Sequence, residues 1–532
     1  MIYSPQLDRF VHNRLPAADQ WPDILPIAGI HDADTLNCVS FLLDRHISTD
    51  HGQHPAVHGN ERTWSYLQLS DHVSRLARVM VQEFGVQPGN RVLIRGGNSP
   101  DAMVVWLAIQ KIGAIAVTTM SLLREAELSV IVKISQPCLA VCEAALLPEL
   151  EAVARDIATV SYSDGTGELF DMIEKAEPLS QTCPTLPDDI SLIAFTSGTT
   201  GKPKATVHFH RDIIAICETM ARHIVNPSPA DVFIGTAPLA FTFGLGGLLV
   251  FPLYFGASCV LLPRYMPEQL LEAIDRFQAT VCFTVPTFYQ QMAKLKSNHP
   301  LGSLRLAVSS GEALPLPVRH AWFEATGMTL AEVLGSTEML HAFAGSAGDD
   351  VREGFIGPAF PGFELAILDE TGNPLPPGEI GRLAVNGPTG CRYLDDDRQK
   401  SYVHGGWNIT GDACSISADG YLAYHSRMDD MIISSGYNIS GVEVENALLL
   451  HPAVNECAVI GEPSEERGQI VSAFVVTARV YEGLREELQA HVKQVIAPYK
   501  YPREVSFVDH LPRNESGKIQ RFRLRRNLGE TI

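Results

Sequence analysis

The stretch Thr196-Ser197-Gly198-Thr199-Thr200-Gly201-Lys202-Pro203-Lys204 decides how the rest of the chain is interpreted. It follows the apolar run 191–195, which predicts a short buried strand that ends in a loop. Hydroxylated residues, two glycines and two lysines in one loop are typical of a triphosphate cradle, because glycine lets backbone N–H groups approach and lysine supplies charge. The common P-loop has Ser or Thr after its Gly-Lys pair, whereas Pro203 stands there in this chain. A plain surface turn is the simpler alternative.

Length and composition exclude several classes of protein. The chain has 532 residues, enough for three or more folding units, and a formal net charge of -20 argues against a nucleic-acid or anionic-membrane surface. The ten cysteines show no paired CxxC spacing, so neither a zinc site nor a disulfide framework is predicted, and reduced thiols favour a cytoplasmic protein. No secretory signal and no membrane insertion are predicted. The sequence leaves open whether the protein forms a homodimer.

From Trp64 onward, helical and strand patterns alternate. Helices are predicted at 66–84 and 102–111, and strands at 91–94, 113–118, 139–141, 192–195, 258–262, 280–284 and 304–308. Such alternation implies βαβ units and mostly parallel sheets. The segment before residue 60 is expected to be irregular and solvated, since its histidines match no metal-ligand spacing (His46, His51, His54 and His58).

The pattern changes near residue 428, where a shorter unit follows. Helices are predicted at 442–450 and 484–495, and strands at 454–461, 470–477 and 504–508, which is the size of a small α+β domain. The predicted domains are therefore 1–428 and 429–532, with a hinge at Asp429-Asp430. The basic run Arg521–Arg526 is interpreted as a solvated helix face.

Three short segments further along the chain contain residues that suit the binding of a nucleotide. Gly311-Glu312 follows an apolar strand, at the usual ligand position of α/β proteins. Glu338, in Gly335-Ser336-Thr337-Glu338, suits Mg²⁺ that bridges phosphates, although the same residues also fit a helix N-cap. Asp412 suits ribose hydroxyls, although an ordinary Asp turn looks the same.

Two further segments are weaker signals. The aromatic and glycine-rich segment 238–247 predicts either a flat apolar binding wall or the start of a core helix. Lys518 follows a Gly turn near the C-terminus. His208 and His210, beside the first loop, are interpreted as structural.

Taken in order, these segments resemble the adenylate-forming (AMP-binding) superfamily across residues 60–525. The matching motifs are TSGTTGKPK at 196–204, GSTE at 335–338, TGD at 410–412, RMDD at 427–430, SSGYNIS at 434–440 and SGK at 516–518. The resemblance implies an α/β fold, with a large N-terminal domain of two α/β lobes and a β-barrel-like portion. A small mobile α+β C-terminal domain would follow it.

The resemblance also implies a two-step acid–thiol ligase that uses ATP, Mg²⁺ and CoA. Lys518 would bridge carboxylate and α-phosphate, Glu338 would hold Mg²⁺, and Asp429 would be the hinge. CoA would pass Ser435, Gly436 and Tyr437 in the second step. The ATP-binding residues implied are Thr196, Ser197, Gly198, Thr199, Thr200, Gly201, Lys202, Lys204, Gly311, Glu312, Gly335, Ser336, Thr337, Asp412 and Arg427.

Within the superfamily, the segments 241–246 and 335–341 look most like the benzoate and 2-aminobenzoate CoA ligases. That subgroup implies an aryl pocket walled by Thr242, Phe243 and His341, and Phe241 and Phe243 could pack against the faces or edges of a substrate ring. His341 could hydrogen-bond a ring substituent or orient the carboxylate, and a buried structural histidine is the alternative. One departure is Leu334, where many members have an aromatic residue, so that aliphatic contact would replace adenine stacking.

Three alternatives accompany the aryl-CoA ligase. They are a medium- or long-chain fatty acyl-CoA ligase, an adenylation enzyme that loads a carrier protein, and a catalytically inactive nucleotide-binding protein. The last should lack Lys518, Glu338 or the loop lysines, all of which are present.

Overall fold

The computed structural model describes residues 3–48, 50–196, 203–295, 301–434, 437–464, 467–513 and 518–527. Its strands form four separate sheets. The strands are β1 Pro55–His58, β2 Thr63–Ser65, β3 Arg91–Arg95, β4 Ile115–Thr119, β5 Leu139–Glu143, β6 Ala158–Tyr162, β7 Ile190–Thr196, β8 Lys204–Phe209, β9 Val232–Gly235, β10 Ser258–Val260, β11 Val281–Thr284, β12 Leu306–Ser309, β13 Ala331–Gly335, β14 Ala342–Ser346, β15 Glu364–Leu368, β16 Gly381–Asn386, β17 Val403–His404, β18 Trp407–Ile416, β19 Leu422–Arg427, β20 Ile432–Ser434, β21 Tyr437–Ile439, β22 Glu456–Ser464, β23 Gly468–Val476 and β24 Glu504–Phe507.

The helices lie between and around these strands. Three stretches have π-helical hydrogen bonding: Ser40–Asp44, Cys217–Val225 and Gly246–Val250. The α-helices are α1 Arg45–Ile47, α2 Tyr66–Gln82, α3 Pro100–Lys111, α4 Glu125–Ser135, α5 Leu147–Glu151, α6 Glu168–Lys175, α7 His210–Ile216, α8 Thr242–Leu245, α9 Phe251–Phe255, α10 Pro267–Phe277, α11 Pro286–Leu295, α12 Leu316–Thr326, α13 Gln399–Tyr402, α14 Gly441–Leu449, α15 Leu484–Val495 and α16 Arg521–Asn527.

The first sheet has the order β6-β5-β3-β4-β7-β8, and all its pairs are parallel except β7–β8. Helix α3 begins at the cap Ser99, whose side chain accepts a hydrogen bond from the Ala102 N–H, and all its residues are buried. A strand between such helices has both faces covered, which explains why β3 reads as a continuous buried run. The predicted βαβ rhythm is confirmed.

The second sheet is larger, with the order β14-β13-β12-β11-β9-β10-β1-β2. It is parallel except at its two ends, where β14 and β2 run antiparallel to their neighbours. The largest apolar core takes side chains from both sheets, among them Val92, Ala116, Phe233 and Phe283.

The remaining two sheets are mainly antiparallel. The third contains β15, β16, β17, β18 and β19, and the fourth contains β20 to β24 with one parallel pair, β23–β24. These features confirm the predicted fold class: two α/β lobes, an antiparallel portion and a small α+β unit. We call residues 432–527 the terminal unit. The predicted domain boundary at residue 429 lies between β19 and β20 and stays a prediction.

Two expectations from the sequence were wrong. The segment before residue 60 is neither irregular throughout nor solvated: it contains the π-helical stretch Ser40–Asp44, α1 and β1, and Val11, Leu36, Val39 and Leu42 are fully or almost fully buried. His46 and His51 belong to this packing, since their Nε2 atoms lie 2.9 and 2.8 Å from the carbonyl oxygens of Leu253 and Gly256. Elements of three to five residues are too short to show a helical or strand period in the sequence, so the pattern did not reveal them.

The basic helix α16 is also not simply solvated. Arg521 forms an ion pair with Glu445 at 2.7 Å, and Arg525 forms one with Asp430 at 2.6 Å. A run of like charges looks solvated in sequence because its acidic partners lie far away along the chain. Among the described residues, no helix has the length and apolar character needed to cross a membrane.

Candidate active site

The segment 196–204 connects the antiparallel strands β7 and β8. Thr196 and Lys204 are register partners, so the predicted phosphate loop closes a hairpin at the edge of the first sheet. Residues 197–202, which include six of the predicted ATP contacts, lie outside the described residues. Lys204 is described, and its Nζ lies 3.1 Å from the Tyr393 hydroxyl oxygen and 5.0 Å from the centre of the Tyr393 ring.

The GSTE motif forms the turn between β13 and β14. No helix follows the motif, so its alternative interpretation as a helix N-cap is wrong. The Ser336 hydroxyl accepts a hydrogen bond from the Met339 N–H at 3.2 Å, and Leu340 adopts a left-handed φ of 65°. A left-handed leucine is strained, and such strain persists only where the surroundings over-determine it. The turn thus holds Glu338 and His341 in set directions.

Glu338 is 8% exposed and accepts a hydrogen bond from the Tyr393 hydroxyl at 2.5 Å. Burial and the neighbouring Glu338 raise the pKa of Tyr393 well above its usual range, so that the hydroxyl stays a donor. The same hydroxyl lies within reach of Lys204. Tyr393 therefore joins the two nucleotide segments, and sequence reasoning missed it because no motif surrounds it.

His208 and His210 have structural surroundings, as interpreted from the sequence. His208 on β8 is fully buried, and its Nε2 lies 2.8 Å from the Thr337 carbonyl oxygen. This contact ties the hairpin strand to the GSTE turn. Nδ1 of His210 accepts from the Cys38 N–H at 3.3 Å.

Asp412 and Arg427 face each other on β18 and β19. They are register partners, and Nη1 of Arg427 lies 2.9 Å from Oδ1 of Asp412 and 2.9 Å from the Thr410 carbonyl oxygen. Burial raises the pKa of Asp412, and the guanidinium of Arg427 opposes that rise. The two predicted nucleotide residues therefore form one preorganised pair, although fifteen positions separate them along the chain.

Lys518 reaches this region from the terminal unit. The residue is accessible to solvent, but protein groups crowd its ammonium, and burial lowers its pKa while Glu312, Asp412 and Glu338 raise it. A Cβ placed on Gly311 would lie 4.0 Å from Cε of Lys518. Glu312 also lies 3.6 Å from Nη1 of Arg513, which is again in the terminal unit. Predicted residues that are two hundred positions apart thus meet at one place.

Two of the four predicted acyl residues, Phe243 and His341, form an aromatic cluster with two additional phenylalanines, whereas Phe241 and Thr242 are not part of it. Phe241 precedes helix α8, which begins at Thr242. The ring of Phe243 lies 5.4 Å from Phe283 and 5.7 Å from His341, and the ring of Phe251 lies 4.8 Å from His341. We call Phe243, Phe251, Phe283 and His341 the aromatic cluster. Phe251 and Phe283 were not predicted, because an apolar residue inside a helix or strand looks like ordinary core.

The predicted CoA residues are only partly described. Ser435 and Gly436 lie outside the described residues, whereas Tyr437 is exposed on β21 with its ring 4.7 Å from that of Tyr499. Asp429 lies in the short turn 428–430 between β19 and β20. Both positions are compatible with the predicted roles, which stay predictions.

Two family models match the chain. The model described as "AMP-binding enzyme" matches residues 43–392, and the model "AMP-binding enzyme C-terminal domain" matches residues 443–518. The first match covers more than half of the chain, and the second lies within the terminal unit.

Known proteins match over nearly the full length. The benzoate–CoA ligase of Thauera aromatica is 35% identical over 92% of this chain and 95% of its own, and the mitochondrial acyl-coenzyme A synthetase ACSM3 of Homo sapiens is 32% identical over 89% of this chain and 85% of its own. The crystal structure of the anthranilate CoA ligase AuaEII with anthranoyl-AMP superposes with a TM-score of 0.88 at 33% identity, covering 94% of this chain and 98% of that one. On these matches and the site geometry, the chain belongs to the AMP-binding enzyme family and is an adenylate-forming acyl-CoA ligase that uses ATP and CoA.

Proposed function

We propose that this ligase activates an aryl carboxylate of the benzoate or 2-aminobenzoate type. The aromatic cluster carries the proposal, because its member His341 ends the turn that also bears Glu338, while Phe243 and Phe251 pack against that histidine. Aromatic rings pack against one another with centroids about 4.5–7 Å apart, so a substrate ring finds matching faces and edges here. The likeness to a benzoate and an anthranilate CoA ligase supports the same choice.

In the first step, a carboxylate oxygen attacks the α-phosphorus of ATP, the bond from that phosphorus to the β-phosphate breaks, and pyrophosphate leaves. Two anions must meet, so neutralisation and alignment dominate the barrier. We assign Lys518 to bridging the carboxylate and α-phosphate oxygens. The loop 196–204 holds the β- and γ-phosphates, Asp412 accepts from the ribose hydroxyls, and Arg427 binds phosphate.

Glu338 fits a magnesium ion that accompanies ATP. Mg²⁺ is usually held by one or two carboxylates together with substrate phosphates and water. In the described part of the chain, no group of three or more His, Cys, Asp or Glu side chains forms a ready metal cage. A single buried carboxylate at the phosphate site is therefore the expected ligand, and the ion, when bound, neutralises phosphate charge.

In the second step, the CoA sulfur attacks the acyl carbon, the bond from that carbon to the AMP oxygen breaks, and AMP leaves while the thiol proton passes to solvent. Lys518 lies near Glu312, and we assign a movement of the terminal unit between the two steps that withdraws this lysine before CoA enters. We place the pivot at Asp429, which makes 1–428 and 429–532 the two moving domains. Ser435, Gly436 and Tyr437 would then line the CoA channel.

The roles of Lys518 can be separated by half-reactions. Lys518→Ala should abolish ATP–pyrophosphate exchange but largely spare thioester formation from supplied acyl-AMP, because the lysine contacts only the first transition state. Both rates are measured on the same preparation. Equal loss in the two half-reactions would refute this assignment.

The acid itself is tested by CoA-dependent AMP release with benzoate, 2-aminobenzoate, 2-hydroxybenzoate, octanoate and palmitate at equal concentration. A preference for an aryl acid is expected from the aromatic cluster. A preference for octanoate or palmitate would retain the adenylation chemistry and reject the aryl pocket. The likeness to the acyl-coenzyme A synthetase ACSM3 makes this comparison necessary.

A further inference from the structure

The aromatic cluster contains one buried polar atom without a partner. His341 is 3% exposed, and among the described residues its Nδ1 has no hydrogen-bond partner. Buried polar atoms in folded proteins are nearly always paired, so an exception calls for a physical reason. A ligand that completes the pair is one such reason.

The other ring nitrogen decides what Nδ1 can do. Nε2 of His341 lies 3.4 Å from the carbonyl oxygen of Phe243, and a carbonyl only accepts hydrogen bonds. Nε2 therefore carries the hydrogen. Burial lowers the pKa of His341 to about 4, so the ring is neutral near pH 7 and carries only that one hydrogen. Nδ1 is consequently a bare acceptor.

Close packing keeps the ring in this orientation. A Cβ on Gly246 would lie 2.3 Å from Cδ2 and 2.6 Å from Nε2 of His341, so the helix backbone presses on that edge. Nδ1 lies on the opposite edge of the ring. Glycine at position 246 is what lets the imidazole approach the Phe243 carbonyl.

Phe243 is the most exposed member of the aromatic cluster. Phe251 and Phe283 are fully buried, whereas Phe243 is only half-buried. Phe243 is thus the member of the aromatic cluster that a ligand meets first. A substrate ring that packs on Phe243 or turns it aside arrives next to the imidazole.

We propose that the acid bound by this enzyme carries an N–H or O–H donor on its ring and that Nδ1 of His341 accepts a hydrogen bond from it. The inference rests on the proposed aryl-acid function and narrows it. 2-Aminobenzoate and 2-hydroxybenzoate meet the requirement, whereas benzoate leaves the buried acceptor unpaired. A site built to pair with a substrate donor discriminates strongly against the analogue that lacks it.

The first test compares amino and methyl substituents, which are similar in size but differ in having a donor. ATP–pyrophosphate exchange is measured with 2-, 3- and 4-aminobenzoate and with the three methylbenzoates. At one ring position, kcat/KM for the aminobenzoate should exceed that for the corresponding methylbenzoate by at least about tenfold. Equal values at every position would overturn the inference while leaving the aryl-acid function intact. If no aryl acid supported exchange, both the aryl-acid function and the hydrogen bond to His341 would be overturned.

The second test changes the acceptor. His341→Leu removes it, and the amino-to-methyl ratio of kcat/KM should fall to near one. His341→Asn places an amide oxygen two bonds from Cβ, as Nδ1 is, and should retain part of the ratio. Phe251→Leu is the matched control. It alters the aromatic cluster without changing the acceptor, so it should lower kcat/KM by the same factor for the aminobenzoate and the methylbenzoate. A ratio that is unchanged in His341→Leu would contradict the assignment.

Discussion

At the scale of single residues, the hydroxyl of Tyr393 organises the phosphate end of the site. It donates a hydrogen bond to Glu338 at 2.5 Å and lies 3.1 Å from Nζ of Lys204. One oxygen therefore contacts a carboxylate and an ammonium group from different segments of the chain. A hydrogen bond that involves a charged group contributes about 1.5–3 kcal/mol. Tyr393 is therefore a positioning residue for both predicted nucleotide contacts.

Tyr393→Phe should lower kcat/KM for ATP–pyrophosphate exchange by roughly 10- to 100-fold, since each 1.4 kcal/mol corresponds to tenfold. The ring remains, so the melting temperature should change little. Tyr265→Phe is the control, because the Tyr265 hydroxyl is buried without a partner in the described structure. Equal effects of the two substitutions would contradict the bridging role.

The same scale gives a pH prediction for His341. Burial lowers its pKa to about 4, so protonation begins only well below pH 6. The kcat/KM ratio of 2-aminobenzoate to 2-methylbenzoate should therefore stay constant from pH 5.5 to 8. A histidine with the ordinary pKa of about 6.5 would lose its acceptor within that range, and the ratio would fall on the acid side. Parallel pH profiles for the two acids decide between these outcomes.

At the scale of elements, the antiparallel pair β18–β19 presents Asp412 opposite Arg427. The approach depends on Gly411, which has a left-handed φ of 76° and whose added Cβ would lie 2.8 Å from Nη2 of Arg427. A glycine here satisfies two needs at once, the backbone conformation and the space for the guanidinium.

Gly411→Ala should raise the KM for ATP by about 10- to 100-fold, because the new methyl displaces a charged group that makes two hydrogen bonds. Gly405→Ala is a close control: Gly405 also has a positive φ, of 57°, but no atom lies within 4 Å of its added Cβ. Both variants should lose similar stability in thermal unfolding. If the KM for ATP rose equally in Gly411→Ala and Gly405→Ala, backbone strain and not the displacement of Arg427 would explain the effect.

At the scale of the whole molecule, the terminal unit is attached to the preceding part of the chain by two ion pairs between described residues, one beside the site and one at the predicted hinge. Glu312 lies 3.6 Å from Nη1 of Arg513, and Arg525 lies 2.6 Å from Asp430. Burial raises the pKa of Glu312, and Arg513, Lys518 and Arg521 oppose it. Three cations of the terminal unit thus converge on one carboxylate of the large domain.

Arg513→Ala should slow ATP–pyrophosphate exchange about 3- to 10-fold while affecting thioester formation from supplied acyl-AMP less, because it removes the Glu312 contact that helps to bring Lys518 to the site. It also removes a 2.9 Å ion pair with Glu456 inside the terminal unit, whose loss should affect both half-reactions alike. Arg485→Ala serves as the control, since its pair with Glu504 lies within the terminal unit and is exposed. Equal slowing of both half-reactions by Arg513→Ala would argue against a latch between the units.

The sequence by itself determined the family and the alternation of strands and helices, and it predicted the nucleotide segments, because these depend on local chemistry: glycine spacing, hydroxyl density and apolar period. It did not reveal Tyr393, Phe251 or Phe283, whose roles arise only when β8, β11 and the turn after β13 come together. The tautomer of His341 likewise follows from its distance to the Phe243 carbonyl. Tertiary structure decides such features, since desolvation and hydrogen-bond pairing are properties of neighbours in space and not of neighbours along the chain.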